Sequence, residues 1–343
     1  MKNTIRKAVA AAVAAAAMGT FLPSVGVSAE SGSDTIRIMP LGDSITDGYW
    51  EQGGYRKYLS YTLAQKGYAN IDFVGPKGQD RESFTYNGKV VSYDGNYAGY
   101  SGYAIQQMNG AEPRQGILET LTDGDYIRKY SPDIVLLQIG TNDVISSYNE
   151  GAPERLENLV NYILSEGKDG EQVFVTTIPD MDADTAADWF WSYGEVKWTS
   201  TKEEFAAIVQ GYVDSYNTSV EALVKKMQSE GKNVHFGDIN SVVDVSTDLY
   251  DGVHPNEAGY EKMGLYWAEV LDGYLSSEPG TEQSTGSVTE KEYEVADLVA
   301  LASHLLGRKQ ERINAENFMK YDLTDDGKLN VFDLILLRRM LFS

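Results

Sequence analysis

Residues 36–48 read Ile-Arg-Ile-Met-Pro-Leu-Gly-Asp-Ser-Ile-Thr-Asp-Gly. An apolar run that breaks into Gly-Asp-Ser and then into turn residues is the pattern of a buried strand delivering one serine to the edge of a sheet. Ser44 is therefore the candidate nucleophile. A serine hydroxyl attacks poorly alone, so the chain must also supply a base, a group that orients the base, and donors for an oxyanion.

The elements around this stretch alternate. A strand is predicted over 35–41, then a helix over 54–66 with Tyr55, Leu59 and Leu63 on one side, then a strand over 71–75. Residues 76–95, rich in Gly, Asp and Asn, read as a long loop bordering a binding site. Residues 133–140, Asp-Ile-Val-Leu-Leu-Gln-Ile-Gly, are the clearest buried strand and end in Thr141-Asn142-Asp143. A helix over 153–165, a strand over 172–178, a long helix over 202–230, a strand over 233–237 and a helix over 257–275 complete the pattern. The fold class is α/β: a doubly wound three-layer α/β/α sandwich on a central parallel sheet of about five strands, with its sites at the carboxyl ends of the strands. Ser44 and Asn142 both fall at such ends.

Only three histidines occur. His235 sits inside a predicted strand and His304 inside a C-terminal helix, which assigns both to structure. His254 follows Asp251 by three residues in a polar loop before a helix. It is the candidate base, with Asp251 fixing its tautomer; the alternative is an ordinary Asp-Gly turn beside a surface histidine. The candidate oxyanion donors are the Ser44 backbone N–H, a glycine N–H from the turn 97–102 (Gly99, with Gly102 as its rival) and the Asn142 side-chain amide. Asp43, Asp47 and Asp143 read as carboxylates that hold loops by hydrogen bonds. Residues 186–199 gather Trp189, Trp191 and Trp198 with Phe190 and Tyr193, either as a wall for sugar rings or as a satellite core.

Residues 1–29 carry Lys2, Arg6 and Lys7, an alanine-rich apolar stretch and Val27-Ser28-Ala29, and read as a secretory signal peptide, so a secreted, extracellular protein is expected. The apolar stretch is too short for a membrane span. A net charge of −22, with no Lys/Arg cluster beyond the signal region, argues against nucleic acid and anionic membrane as partners and favours a neutral substrate. Cysteine is absent, so stability rests on packing and on any bound metal.

Gly42-Asp43-Ser44, Gly99, Gly140-Thr141-Asn142-Asp143 and Asp251-x-x-His254, in that order, resemble the four blocks of the SGNH (GDSL-type) hydrolases over residues 35–275. No Gly-x-Ser-x-Gly surrounds Ser44, because Thr46 holds the last position, so the α/β-hydrolase elbow does not apply. Within that family, residues 37–48, Gly53-Gly54-Tyr55-Arg56 and Gly99-Tyr100-Ser101-Gly102-Tyr103 are similar to the third carbohydrate esterase family; Asn96-Tyr97-Ala98 departs from its pattern. The resemblance implies a flavodoxin-like fold and removal of acetyl groups from acetylated xylan through an acetyl-enzyme. It implies no catalytic cofactor.

The C-terminal part repeats itself. Val295-x-Asp297-Leu298-Val299-Ala300-Leu301 recurs 36 positions later as Val331-x-Asp333-Leu334-Ile335-Leu336-Leu337. Asp322, Thr324, Asp326, Lys328 and Asp333 have the spacing of a calcium loop, with Gly327 at the sharp turn. With the repeat, this resembles a dockerin, a small all-α calcium-binding module that implies a cohesin partner on a cellulosome scaffold. In the first copy, Gly286, Val288 and Lys291 occupy ligand and turn positions, so one Ca²⁺ is expected. The organisation is then a signal peptide at 1–29, an esterase domain at 30–275, a linker at 276–287 and a dockerin at 288–343. The competing functions are a lipase or esterase for longer acyl groups, and a calcium-dependent binding module with a vestigial site.

Overall fold

The structure is a computed structural model. It describes residues 35–276 except 111, 193 and 195, and in the C-terminal part residues 293–305, 307–308, 312–314, 317–321, 323, 329, 333–334 and 337–338. The chain divides into two compact units between residues 281 and 282. The signal peptide and most of the linker lie outside the described residues.

The first unit runs β1 (Ile36–Gly42), α1 (Ser44–Asp47), α2 (Gly54–Gln65), β2 (Ile71–Phe73), β3 (Glu82–Tyr86), β4 (Lys89–Tyr93), β5 (Ala98–Gly99), α3 (Ile117–Gly124), α4 (Tyr126–Tyr130) and β6 (Ile134–Gln138). It continues with α5 (Thr141–Ile145), α6 (Ala152–Glu166), β7 (Gln172–Thr176), α7 (Ala183–Ala186), α8 (Lys202–Ser229), β8 (Val234–Gly237) and α9 (Glu257–Leu275). The sheet is parallel in the order β2-β1-β6-β7-β8. The chain leaves β1 first toward β2 and later toward β6, so the strand order reverses between β1 and β6, where a doubly wound sheet opens a crevice.

Successive residues of the central strands serve opposite faces. Met39, Leu41, Val135, Leu137, Val173 and Val175 pack with α6 and α8, while Ile38, Ile134, Leu136 and Phe174 pack with α2 and α9. Burial on both faces explains why these strands read as continuous apolar runs. Pro40 is tolerated in β1 for a local reason. The Ile38 and Gly42 carbonyls accept from Val74 and Tyr100 on the β2/β5 edge, so the Pro40 nitrogen points to that edge as well. There β2 pairs only Ile36–Ile38 and β5 only Leu41 and Gly42, leaving Pro40 in the gap, where the missing N–H costs no ladder bond.

Three features differ from the sequence reading. The short β5 joins the sheet, giving six strands. α3 and α4 form between the glycine turn and β6. The predicted loop 76–95 contains an antiparallel hairpin, β3–β4, turning on Asn87-Gly88 with φ of 49° and 73°. Asn-Gly is the residue pair a two-residue hairpin turn favours, and Phe84 and Tyr86 pack against the cluster formed with α2. The Gly, Asp and Asn content of the stretch reads as loop, although Ser83-Phe84-Thr85-Tyr86 alternates.

In the second unit α10 (Val295–Leu305) and α11 (Phe318–Tyr321) surround a small core. Leu301 and Leu337, equivalent in the 36-residue repeat, are both fully buried there with Ala300, Ile313 and Tyr321.

Trp267 on α9 is fully buried, whereas Val90 on the hairpin is 77% exposed. Trp267→Ala is expected to lower the unfolding free energy by roughly 3–5 kcal/mol. Val90→Thr should change it by no more than about 0.5 kcal/mol, both read from denaturant titrations.

Candidate active site

β1 and β6 approach each other so closely at their carboxyl ends that a Cβ on Gly42 would lie 2.0 Å from the Gln138 carbonyl oxygen. Only glycine fits there. One residue on, the Asp43 side chain accepts the Ile45 N–H at 3.0 Å and caps α1, whose first residue is Ser44. Ser44 is 5% exposed and opens onto a cavity of about 550 Å³.

The loop before α9 brings the partners. His254 Nε2 lies 2.8 Å from Ser44 Oγ, across 210 residues of sequence, and His254 Nδ1 lies 2.7 Å from Asp251 Oδ2. Asp251 Oδ1 accepts the backbone N–H groups of Val253 and His254 at 3.1 and 2.8 Å. The turn closes through a bond from the Tyr250 N–H to the His254 carbonyl, and Asn256 caps α9. Burial disfavours the Asp251 carboxylate, but the hydrogen bond and charge of His254, its backbone N–H and the Trp50 indole outweigh this and hold the group below its usual value. An ionised Asp251 fixes the imidazole with Nδ1 protonated and Nε2 turned to the serine.

Asn142 lines the same cavity from the start of α5. Its amide donates one N–H to the Tyr103 carbonyl at 2.9 Å, leaving the second. Gly99 is buried beside Gly42 in the β5 pairing, and Gly102 is on the cavity wall. Asp47 ties this turn to α1: it accepts Tyr97 Oη and Ser101 Oγ at 2.7 Å each, and Lys77 Nζ bridges Asp47 (2.7 Å) and the Gly99 carbonyl (2.8 Å). Buried Asp143 does the same from α5, accepting the Ile105 N–H and Arg155, each at 2.9 Å. Arg56 is buried and donates to the carbonyls of Thr46, Asp47 and Gly95, locking the nucleophile turn from beneath.

The structure thus brings Ser44, His254, Asp251 and Asn142 to one cavity. His235 stacks on Phe174, and His304 lies in the second unit. The aromatic insertion divides: Trp189 and Phe190 line the cavity, whereas Trp198 packs on Tyr212 and Phe205 and donates to the Ile145 carbonyl. Tyr193 lies outside the described residues, as do Asp322, Thr324, Asp326 and Lys328. Asp333 is fully buried and accepts the Leu323 N–H at 2.8 Å.

Sequence reasoning missed Tyr49 and Trp50, which also line the cavity. Trp50 donates its indole N–H to Asp251 Oδ2 at 2.7 Å. A lone aromatic in a turn carries no local signal, since its meaning depends on a carboxylate 201 residues away.

A parallel sheet with a serine, a histidine and an aspartate chained at its switch point defines a hydrolase of the SGNH fold. The profile of the GDSL-like lipase/acylhydrolase family matches residues 38–267, and the chain belongs to that family. It is 50% identical over 258 residues to a multidomain esterase of Ruminococcus flavefaciens, a match covering 74% of this chain but 31% of the relative, so the chain spans less than a third of that protein. A family 3 carbohydrate esterase of Clostridium thermocellum is 26% identical with a TM-score of 0.49, covering 71% of this chain and 98% of that one. One from Talaromyces cellulolyticus is 18% identical with a TM-score of 0.51, covering 71% and 100%, and shares the fold.

Burial pushes the Asp43 carboxyl up from 3.8 to about 6, against the Ile45 N–H and the charge of His254. The folded state holds this proton more tightly than the unfolded chain, so Asp43 stabilises most below pH ~4 and the contribution is lost as pH rises to about 6. The unfolding free energy of wild type relative to Asp43→Asn should therefore fall by about 3 kcal/mol across that window. Chemical denaturation at pH 4, 5, 6 and 7 measures it.

Proposed function

We propose that the protein is a secreted carbohydrate esterase that removes O-acetyl groups from acetylated xylan, held on a cellulosome scaffold by a C-terminal dockerin. The observation that carries the esterase reading is the continuous chain from Ser44 Oγ through His254 to Asp251, at 2.8 and 2.7 Å. Ser44 Oγ attacks the acetyl carbonyl while His254 Nε2 takes its proton. The negative oxygen is met by the Ser44 N–H, a glycine N–H of the turn 97–102 (Gly99 or Gly102) and the Asn142 amide. His254 returns the proton to the departing sugar hydroxyl as the C–O bond breaks. Water, deprotonated by His254, then opens the acetyl-enzyme and releases acetate.

The carbohydrate part of the reading is supported by the aromatic side chains that wall the cavity, Tyr49, Trp50, Trp189 and Phe190. Among the described residues no helix is long and apolar enough to cross a membrane. For the C-terminal unit, Asp297, equivalent to Asp333 in the repeat, is occupied by the Tyr321 hydroxyl, the Arg312 Nε and the Glu294 N–H at 2.6, 2.7 and 2.8 Å. Three protein donors on this carboxylate support a single Ca²⁺, held by Asp322, Thr324, Asp326, Lys328 and Asp333, with the Lys328 position contributing its backbone carbonyl.

Acetate release from acetylated xylan tests the activity. Ser44→Ala and His254→Ala should each reduce it on the order of 10⁴-fold or more with unchanged melting temperature, and Asp251→Asn less. An aryl octanoate hydrolysed faster than the aryl acetate would instead identify a lipase. Calorimetric titration of the whole chain with Ca²⁺ should give one site, abolished in Asp326→Ala; no heat would remove the dockerin reading.

A further inference from the structure

Among the described residues of the first unit four large apolar side chains are exposed; two of them, Tyr49 (43%) and Trp50 (46%), line the cavity, and a third, Tyr250 (57%), packs on Trp50. Exposed aromatics concentrated at one mouth mark a surface kept for a ligand. Their arrangement is ordered. Trp50 packs against Tyr250 with ring centroids 4.7 Å apart and planes 30° from parallel, and meets Trp189 edge-on at 5.6 Å. Tyr49 lies 4.5 Å from the His254 ring.

Trp50 differs from its neighbours in two further ways. Its φ is 67°, a left-handed conformation that a bulky residue adopts only when the surrounding structure demands it, and such strain gathers at functional sites. The loop is pinned there by Tyr260, whose hydroxyl donates to the Tyr49 carbonyl at 3.2 Å. Its indole N–H donates to Asp251 Oδ2, the oxygen that also holds His254 Nδ1. The same ring is thus cavity wall on its face and partner of Asp251 at its edge.

We propose that Trp50 joins substrate binding to the acid–base pair: its ring, backed by Tyr250, stacks against a pyranose ring of the acetylated glycan, and its N–H positions Asp251. The C–H groups of a sugar face match the negative face of an aromatic ring, and an uncharged polyol needs no counter-charge. Trp50 is a positioning residue toward Asp251 and a binding residue toward the sugar. The inference rests on the esterase reading above and adds where the sugar lies.

Three variants separate the two roles, each assayed on 4-nitrophenyl acetate, which has no sugar, and on an acetylated xylo-oligosaccharide. Trp50→Phe keeps an aromatic face and loses the N–H. It should lower kcat roughly tenfold on both esters while the oligosaccharide KM moves less than about twofold, the size expected for one hydrogen bond to a charged group. Tyr250→Ala should raise the oligosaccharide KM several-fold, and by more than it raises the 4-nitrophenyl acetate KM. Trp50→Ala should do both. Wild-type kcat in Trp50→Phe overturns the positioning role, and an unchanged oligosaccharide KM in Tyr250→Ala overturns the sugar surface. Tyr250 is too exposed for its loss to prevent folding, so this arm stands even where Trp50→Ala misfolds. Wild type inactive on both esters overturns the esterase reading and this inference with it; wild type active and silenced by Ser44→Ala, with Trp50 and Tyr250 variants unimpaired, overturns only this inference.

Discussion

Pairing of β1 with β6 is the constraint on which the rest depends. Both strands are buried on both faces, so their backbone groups must be satisfied in the ladder, and five residue pairs from Ile38–Ile134 to Gly42–Gln138 satisfy them in parallel. Parallel pairing sends both carboxyl ends to one edge of the sheet, and the chain reverses its direction of winding between them. Ser44 and Asn142 are therefore neighbours because of backbone hydrogen bonding. The absence of a side chain at Gly42 sets how near the two ends approach.

Around that edge, carboxylates serve structure more than chemistry. Asp43 caps the nucleophile helix, Asp47 ties the glycine turn to it, and Asp143 anchors the chain at Ile105. Asp47 and Asp143 take donors from distant segments, so the loops of the site are cross-linked by charge-assisted hydrogen bonds. Only Asp251 touches the imidazole. A preorganised site of this kind keeps donors and base in place before substrate arrives, which is how a polar cavity lowers a barrier at little reorganisation cost.

The order of strands and helices, the serine, the histidine and its aspartate were legible locally, because a doubly buried strand has an unmistakable apolar run and because three histidines leave little choice. The hairpin over β3–β4 reads as loop from the Gly, Asp and Asn content of residues 76–95, although Ser83-Phe84-Thr85-Tyr86 alternates and Asn87-Gly88 is a hairpin pair. The division of the aromatic insertion was not legible: Trp189 and Trp198 are alike as residues, and only the path of α8 decides that Trp198 packs inward on Phe205 and Tyr212.

The sequence by itself determined the α/β class, the strand ends that border the cavity and which histidine and aspartate pair there, since periodicity and turn chemistry are properties of neighbouring residues. Tertiary structure alone decided that Trp50 reaches Asp251, that Arg56 lies beneath the nucleophile turn and that Gly102 lines the cavity. Those contacts join segments whose meeting depends on the summed geometry of every intervening element, and no local pattern encodes that distance.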